Sequence, residues 1–429
     1  MLGAFANAFR TPDLRKKMLF VLFVVVLFRL GSQIPTPGVN VANVQDCVAA
    51  TKNSGLYGLI NLFSGGALLR LTVFALGIMP YITASIILQL LVVVIPRLEA
   101  LKKEGQAGQT KITQYTRYLT LALAILQATG IVALARSGQL LQGCTKDLLY
   151  HNNLTTMLVM IVTMTAGTCV IMWFGELITD RGIGNGMSIL IFTQIVATFP
   201  ASLWAVKAAR GWWVFGLITV IGLMLVAAVI FMEQGQRRIP VQYARRMVGR
   251  KMFGGSSTYI PLKVNQAGVI PVIFASSLLY LPAMAAQFSG NSSWAVFVST
   301  YLVKGDHPLY MAIYFALIIF FTYFYVAITF NPEEVADNMK KYGGFIPGIR
   351  AGRPTQEYLN YVLNRITLPG SVYLALISLI PLIAIVAVGA NQNFPFGGTP
   401  ILIMVGVALD TVKQIESQLQ QRNYEGFLR

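Results

Sequence analysis

Apolar runs of about 20 residues, separated by short polar stretches, recur along the whole chain. At 1.5 Å of rise per residue, such a run matches the hydrocarbon thickness of a bilayer. Ten windows predict ten membrane-spanning helices, near residues 18–35, 72–95, 117–136, 154–178, 183–203, 213–233, 266–288, 309–330, 369–389 and 399–416. The fold class read from this pattern is an all-α polytopic membrane protein. One segment breaks the pattern. Leu56 to Arg70, LYGLINLFSGGALLR, is amphipathic, too short to span and interrupted by Gly65-Gly66. It reads either as an interfacial helix or as a re-entrant segment, which a bilayer tolerates only where protein or water surrounds it.

Composition agrees with the periodicity. Of 429 residues, 55% are hydrophobic and 11% charged, against about 25% charged in ordinary soluble domains. A soluble, disordered, collagen-like or disulfide-framework chain is excluded. Lys and Arg number 33 against 16 Asp and Glu, a net charge of +17. With the N-terminus inside, the outside loops hold only Lys52, Arg70, Arg136, Lys146, Lys207, Arg210 and Lys304. Arg29 lies within the first span, and the other basic residues fall inside. This asymmetry predicts that both termini are cytoplasmic.

The first apolar run follows Arg10, Arg15, Lys16 and Lys17 with no A-x-A site after it, so it is expected to stay as the first helix. Five spans fall in residues 1–211 and five in 212–429. An odd number per half inserts the second half upside down, with a functional site expected where the halves meet.

Two inside loops are long and basic: Gln236 to Lys263 and Asn331 to Arg365. Their mixture of Gly, Pro and Arg predicts turns or hairpins, not helix throughout. Their charge also suits an acidic partner.

The chemistry expected of an enzyme is missing. No HExxH, GxSxG, Walker lysine motif or paired intramembrane aspartates occur, and His151 and His307 fall in outside loops. No catalytic residue, cofactor or metal site is expected. The acidic residues lie in loops or near span ends, with Glu176, Glu233 and Asp410 closest to the membrane interior. Ion-coupled transporters generally need a carboxylate or an unwound-helix ion site at mid-membrane. The pattern therefore favours a passive conduit driven by a partner, with a secondary transporter of small solutes as the alternative. Cys47 and Cys144 fall in two outside loops, where a disulfide is left open; Cys169 reads as a core residue.

Six stretches carry a family resemblance: SGGAL at 64–68, FALGIMPYITASIILQLL at 74–91, KKEGQAGQTKITQYTRY at 102–118, GELITDRGIGNGMSILIF at 175–192, IPLKVNQAGVIPVIFASS at 260–277 and FNPEEVADNMKKYGGFIPGIR at 330–350. In this order and spacing the chain resembles the SecY (Sec-alpha) family, pore subunits of the protein-conducting channel, in its bacterial form. The resemblance implies two inverted five-helix halves around a central hourglass pore in the bacterial plasma membrane. That pore opens across the membrane for secreted polypeptides and sideways, between the second and seventh spans, for membrane segments. SecE, SecG, the ATPase SecA, the ribosome, signal sequences and membrane lipids are the implied partners.

Site residues follow from the same resemblance. It implies an apolar pore ring of Ile78, Ile82, Met187, Ile191, Ile273 and Ile403, with Met187 standing where the family usually has isoleucine. The plug is implied at Leu56 to Arg70, with Leu56, Asn61, Ser64, Gly65, Gly66 and Arg70. The lateral gate resembles Thr83, Gln127 and Asn265, with Pro271 and Pro282 as bending points in the seventh span. Partner docking is implied at Arg245, Arg246, Arg250, Lys251 and Arg350. Here Arg350-Ala351-Gly352 departs from the family's frequent R-P-G, which is expected to loosen the turn.

Overall fold

The structure is a computed structural model that describes residues 9, 11–50, 66–68, 70–136, 147–150, 153–243, 246–248, 251–253, 257–288, 293–303, 307–388 and 398–427. It is built mostly of long helices, and a helix lies at each of the ten predicted span positions.

Helix α1, Pro12–Gly31, opens with Pro at its start and Asp13 in its first turn, and ends with Arg29 in its last. All three suit the orphan N–H groups and dipole of a helix. A short α2, Val41–Ala50, follows. The span predicted from residue 72 begins as a run of tight turns, and helix α3 covers only Met79–Val94. Pro96 then starts α4, Pro96–Lys103, at 99° to α3. The bend has a local cause: the residue before a proline avoids helical backbone, and Ile95 is extended (φ −100°, ψ 111°).

Helices α5, Gln106–Arg136, and α6, Leu154–Arg181, are continuous. The fifth and sixth predicted spans form one run, α7, Gly186–Gln234, which contains Pro200 and breaks at Gly211 (φ 81°, ψ −178°). Glycine adopts that backbone without a Cβ clash.

The second half holds α8, Ile270–Phe288, α9, Ser293–Val298, and a π-turn over Ser299–Val303. Helices α10, Pro308–Thr329, α11, Pro332–Lys341, α12, Arg353–Val388, and α13, Gly398–Phe427, complete it. Pro271 sits in the first turn of α8, where its missing N–H is not needed, so it starts the helix and does not bend it. Pro282 is the internal proline.

The chain is a multi-pass membrane protein. Among the described residues, five helical segments are long and apolar enough to cross a bilayer: α5, α6, the part of α7 after Gly211, the run beginning with α10, and α12. Counting bent α3 and α4 as one span gives a sixth. The apolar starts of α7 and α8 are shorter. Exposed Leu19, Leu22, Phe23 and Val26 on α1, and Leu217, Val220, Leu223 and Met224 on α7, present apolar faces suited to lipid.

The basic loops depart from pure helix as expected. Strand β1, Gln236–Tyr243, pairs antiparallel with β4, Ser257–Lys263, from Gln236↔Lys263 to Gln242↔Ser257. Between them β2, Arg246–Val248, pairs with β3, Lys251–Phe253. From the second loop, β5, Gly344–Phe345, adds to the free edge of β1. The fold class is thus helical with a small sheet attached. Ile239 and Val241 alternate inward and pack with Leu262, Met339, Ile346 and Leu359, so the two basic loops share one core. The second loop is more helical than its Gly and Pro content predicts. Asn331 caps α11, Pro332 starts it, Glu333 and Glu334 occupy its first turn, and Lys340 and Lys341 its last.

Cys47 is disulfide-bonded and Cys169 is free; Cys144 lies outside the described residues. The largest core cluster draws side chains from α1, α3, α6, α7, α8, α10, α12 and α13, so both halves build it.

Candidate functional site: an apolar cluster beside a charged pair

The six predicted ring residues come from four separate stretches of chain and meet in one cluster. Ile78, Ile191, Ile273 and Ile403 are buried within it, and Ile82 and Met187 pack against it half-buried. Local structure explains four of these placements. Ile78 stands at the start of α3, and Ile82 one turn on donates its N–H to the Ile78 carbonyl at 3.1 Å, which sets both on one face. Met187 and Ile191 are likewise one turn apart on α7. Asn185 fixes where that helix begins, its Oδ1 accepting from the Met187 N–H at 3.1 Å.

Two glycines let α7 approach α6 closely enough to seat Met187. A Cβ on Gly175 would lie 2.3 Å from the Met187 sulfur, and one on Gly186 only 1.9 Å from the Gly175 carbonyl oxygen.

A cavity of about 460 Å³ adjoins four of these six residues. Its lining includes Ile82, Met187, Ile191 and Ile273 together with the charged Arg117, Glu176 and Asp180. Two of the charged residues form an ion pair. Arg117 Nε and Nη2 donate to Glu176 Oε1 and Oε2, each at 2.8 Å, and Nη1 donates to Gln114 at 2.9 Å. Of the other two carboxylates that the sequence places closest to the membrane interior, Glu233 is partly buried and Asp410 is exposed. Glu233 accepts from Asn265 Nδ2, and Asp410 lies 3.9 Å from Lys263 Nζ. The arrangement can seal, and it can guide a chain past charged groups into an apolar constriction.

The SecY family model matches residues 72–412. Protein translocase subunit SecY of Streptomyces galbus is 70% identical over 437 residues, with all of both chains covered. The SecY subunit of Mycobacterium tuberculosis is 62% identical over 441 residues, again with full coverage of both. The chain belongs to the SecY family. Two solved structures share the fold. One, described as the structure of a protein conducting channel, has a TM-score of 0.60 at 18% identity, covering 94% of this chain and 91% of the other. The other, Sec61 in the canine ribosome–channel complex from the endoplasmic reticulum, has a TM-score of 0.58 at 17% identity and the same coverage.

The remaining sites implied by SecY resemblance are placed as follows. Leu56, Asn61, Ser64 and Gly65 lie outside the described residues. Gly66 adopts φ 86°, and Arg70 donates to Gln33 Oε1 at 2.6 Å. The lateral-gate residues Thr83, Gln127 and Asn265 are all buried. Thr83 bonds within its own helix, to the Met79 carbonyl at 3.0 Å. Asn265 bonds Glu233 and the Gly268 carbonyl. None of these three bonds joins α3, α5 and α8 to one another; α3 packs along α5 and touches α8 lightly.

Arg245 and Arg250 lie outside the described residues, and Arg246 and Lys251 face Phe253 and Val248 across the β2–β3 ladder. Arg350 is exposed, and its carbonyl accepts from Thr355 Oγ1 at 2.8 Å. Gly352, at φ 105°, accepts from the Thr355 N–H at 3.0 Å. These two bonds span the turn from Arg350 to Thr355.

Sequence reasoning missed the Arg117–Glu176 pair and the Glu233 partner. The available signal was a charge at the end of an apolar run, which demands a partner in the membrane.

Proposed function

We propose that this chain is the pore subunit of a bacterial protein translocase: a passive conduit for polypeptides, and not an enzyme. One observation carries the reading. Six apolar side chains from distant stretches meet in one core cluster, and four of them line a cavity that Arg117, Glu176 and Asp180 also line. An apolar constriction of this kind blocks ions by dewetting and deforms around a threaded chain. Family membership supports the same reading, and nothing supports the secondary-transporter alternative.

The finer architecture is part of the proposal. Ten spans form two inverted halves, 1–211 and 212–429, around an hourglass pore, and the backbone break at Gly211 supports that boundary. Both termini face the cytoplasm of a bacterial plasma membrane, as the distribution of Lys and Arg indicates. The ring is Ile78, Ile82, Met187, Ile191, Ile273 and Ile403. Residues 56–70 act as the plug, and Thr83, Gln127 and Asn265 lie along the lateral gate. SecE and SecG complete the channel. SecA or the ribosome docks on the loops carrying Arg245, Arg246, Arg250, Lys251 and Arg350, where guanidinium groups suit rRNA phosphates or acidic side chains.

Docking strains the cytoplasmic ends of the helices, a signal sequence intercalates at the gate, the plug leaves, and the chain passes the ring in extended form. Energy comes from protein synthesis, from ATP hydrolysis by SecA, or from the proton-motive force. Vesicles containing the purified complex test this. Uptake of a preprotein that requires SecA and ATP is expected; gradient-driven uptake of a small metabolite without preprotein transport would overturn it.

A further inference from the structure

One stripe of α7 runs through Met187, Ile191 and Gln194, and one stripe of α8 through Ile270, Ile273, Phe274 and Ser277. These are helical spacings of three and four residues, so each stripe occupies one face. The earlier members of both stripes line the cavity that adjoins the ring. Both helices begin at the cavity, so Gln194 and Ser277 lie about one turn beyond the ring, roughly 4.5–6 Å further along the path.

Both side chains are buried and unpartnered. Gln194 is 1% exposed, and neither its Nε2 nor its Oε1 has a hydrogen-bond partner; Ser277 is 8% exposed and its hydroxyl has none. Their neighbours differ. Thr193 donates to the Ile189 carbonyl at 2.8 Å, and Ser276 to the Ile273 carbonyl at 2.9 Å. Buried polar groups without partners are rare and costly. Here two occur at equivalent positions on helices from opposite halves.

We propose that Gln194 and Ser277 form a hydrogen-bonding ledge for the main chain of a polypeptide leaving the ring. The ring offers nothing to the N–H and C=O groups of a passing chain. A glutamine amide offers donors and an acceptor, and a serine hydroxyl offers both functions. Such groups match peptide bonds whatever the side-chain sequence, as a conduit for many substrates requires. Unpaired in the resting channel and paired in the working one, the ledge favours the open state.

This inference rests on the channel reading above, and the test separates the two. The full chain with its partner subunits is placed in vesicles with SecA, ATP and a preprotein, and the thermal midpoint of the purified complex is measured alongside. Gln194→Met, similar in length but without the amide, should raise the midpoint and slow translocation roughly 5- to 30-fold. Adding Ser277→Ala should slow it further. Gln194→Asn, which keeps the amide, should retain most of the rate. A lower midpoint for Gln194→Met would mean that the amide is already bonded at rest, as by a buried water, and would overturn the ledge. So would an unchanged rate, or equal losses for Met and Asn, which would indicate shape alone. If the unsubstituted channel moves no preprotein, the channel reading itself falls.

Discussion

Arg117 grips Glu176 through two parallel hydrogen bonds of 2.8 Å, tying α5 to α6 beside the cavity across 59 residues of sequence. Bidentate pairing of this kind fixes geometry as well as charge. The pair is partly open to solvent, with side-chain exposures of 41% and 21%, so its strength lies between that of a surface pair and a buried one.

Replacing either partner with alanine should destabilise the complex by about 1–2 kcal/mol, after discounting for solvent screening. The double variant should lose less than the sum of the single losses. Thermal unfolding of all four proteins measures the coupling, and strictly additive losses would show that the pair contributes nothing.

Gly186 is predicted to tolerate no side chain, whereas a Cβ at Gly175 would meet only the flexible end of Met187. Alanine at Gly186 would drive its Cβ against the Gly175 carbonyl, 1.9 Å away, and overpacking of this type costs about 1–3 kcal/mol. A Cβ at Gly216, on the same helix, would meet nothing within 4 Å. Alanine there should be neutral or stabilise by about 0.5–1 kcal/mol. Similar midpoints for Gly186→Ala and Gly216→Ala would contradict the close approach of α6 and α7.

The ring predicts an electrical phenotype. Ile82→Asn or Ile191→Asn should raise the resting ion conductance of channels in planar bilayers, because a polar side chain wets the constriction. Met187→Ile should leave conductance near its original value, since both residues are apolar and of similar size. A dry, unaltered conductance in the asparagine variants would argue against a hydrophobic seal.

Docking on the basic loops should be electrostatic. Arg350→Glu should weaken binding of SecA or ribosomes, and binding to the unsubstituted channel should fall steeply as salt rises. Arg350→Lys should recover only part of the affinity, because lysine lacks the planar fork of the guanidinium. Titration against salt checks both, and salt-independent binding would remove the proposed contact.

Much of the fold was legible from hydropathy alone, because membrane helices are chosen by the local free energy of placing each stretch in hydrocarbon. Helix ends were less legible. Helix α5 starts at Gln106 and α12 at Arg353, well before their apolar runs. Backbone hydrogen bonding continues into water with polar residues that hydropathy does not count. The second basic loop hides its structure for a related reason: its Gly and Pro content conceals the capped helix from Pro332 to Lys341.

The chain's order of apolar and basic residues by itself determined the membrane class, the positions of the helices, the polar loops and the absence of catalytic motifs. The family resemblance then singled out the ring residues. Tertiary structure alone decided that Arg117 meets Glu176, that β1 pairs with β4 and β5, that Gly175 admits Met187, and that Gln194 is left without a partner. Hydropathy is a sum over neighbours in sequence. A hydrogen bond or steric contact depends on how distant segments approach within a few ångströms, and no local sum contains that distance.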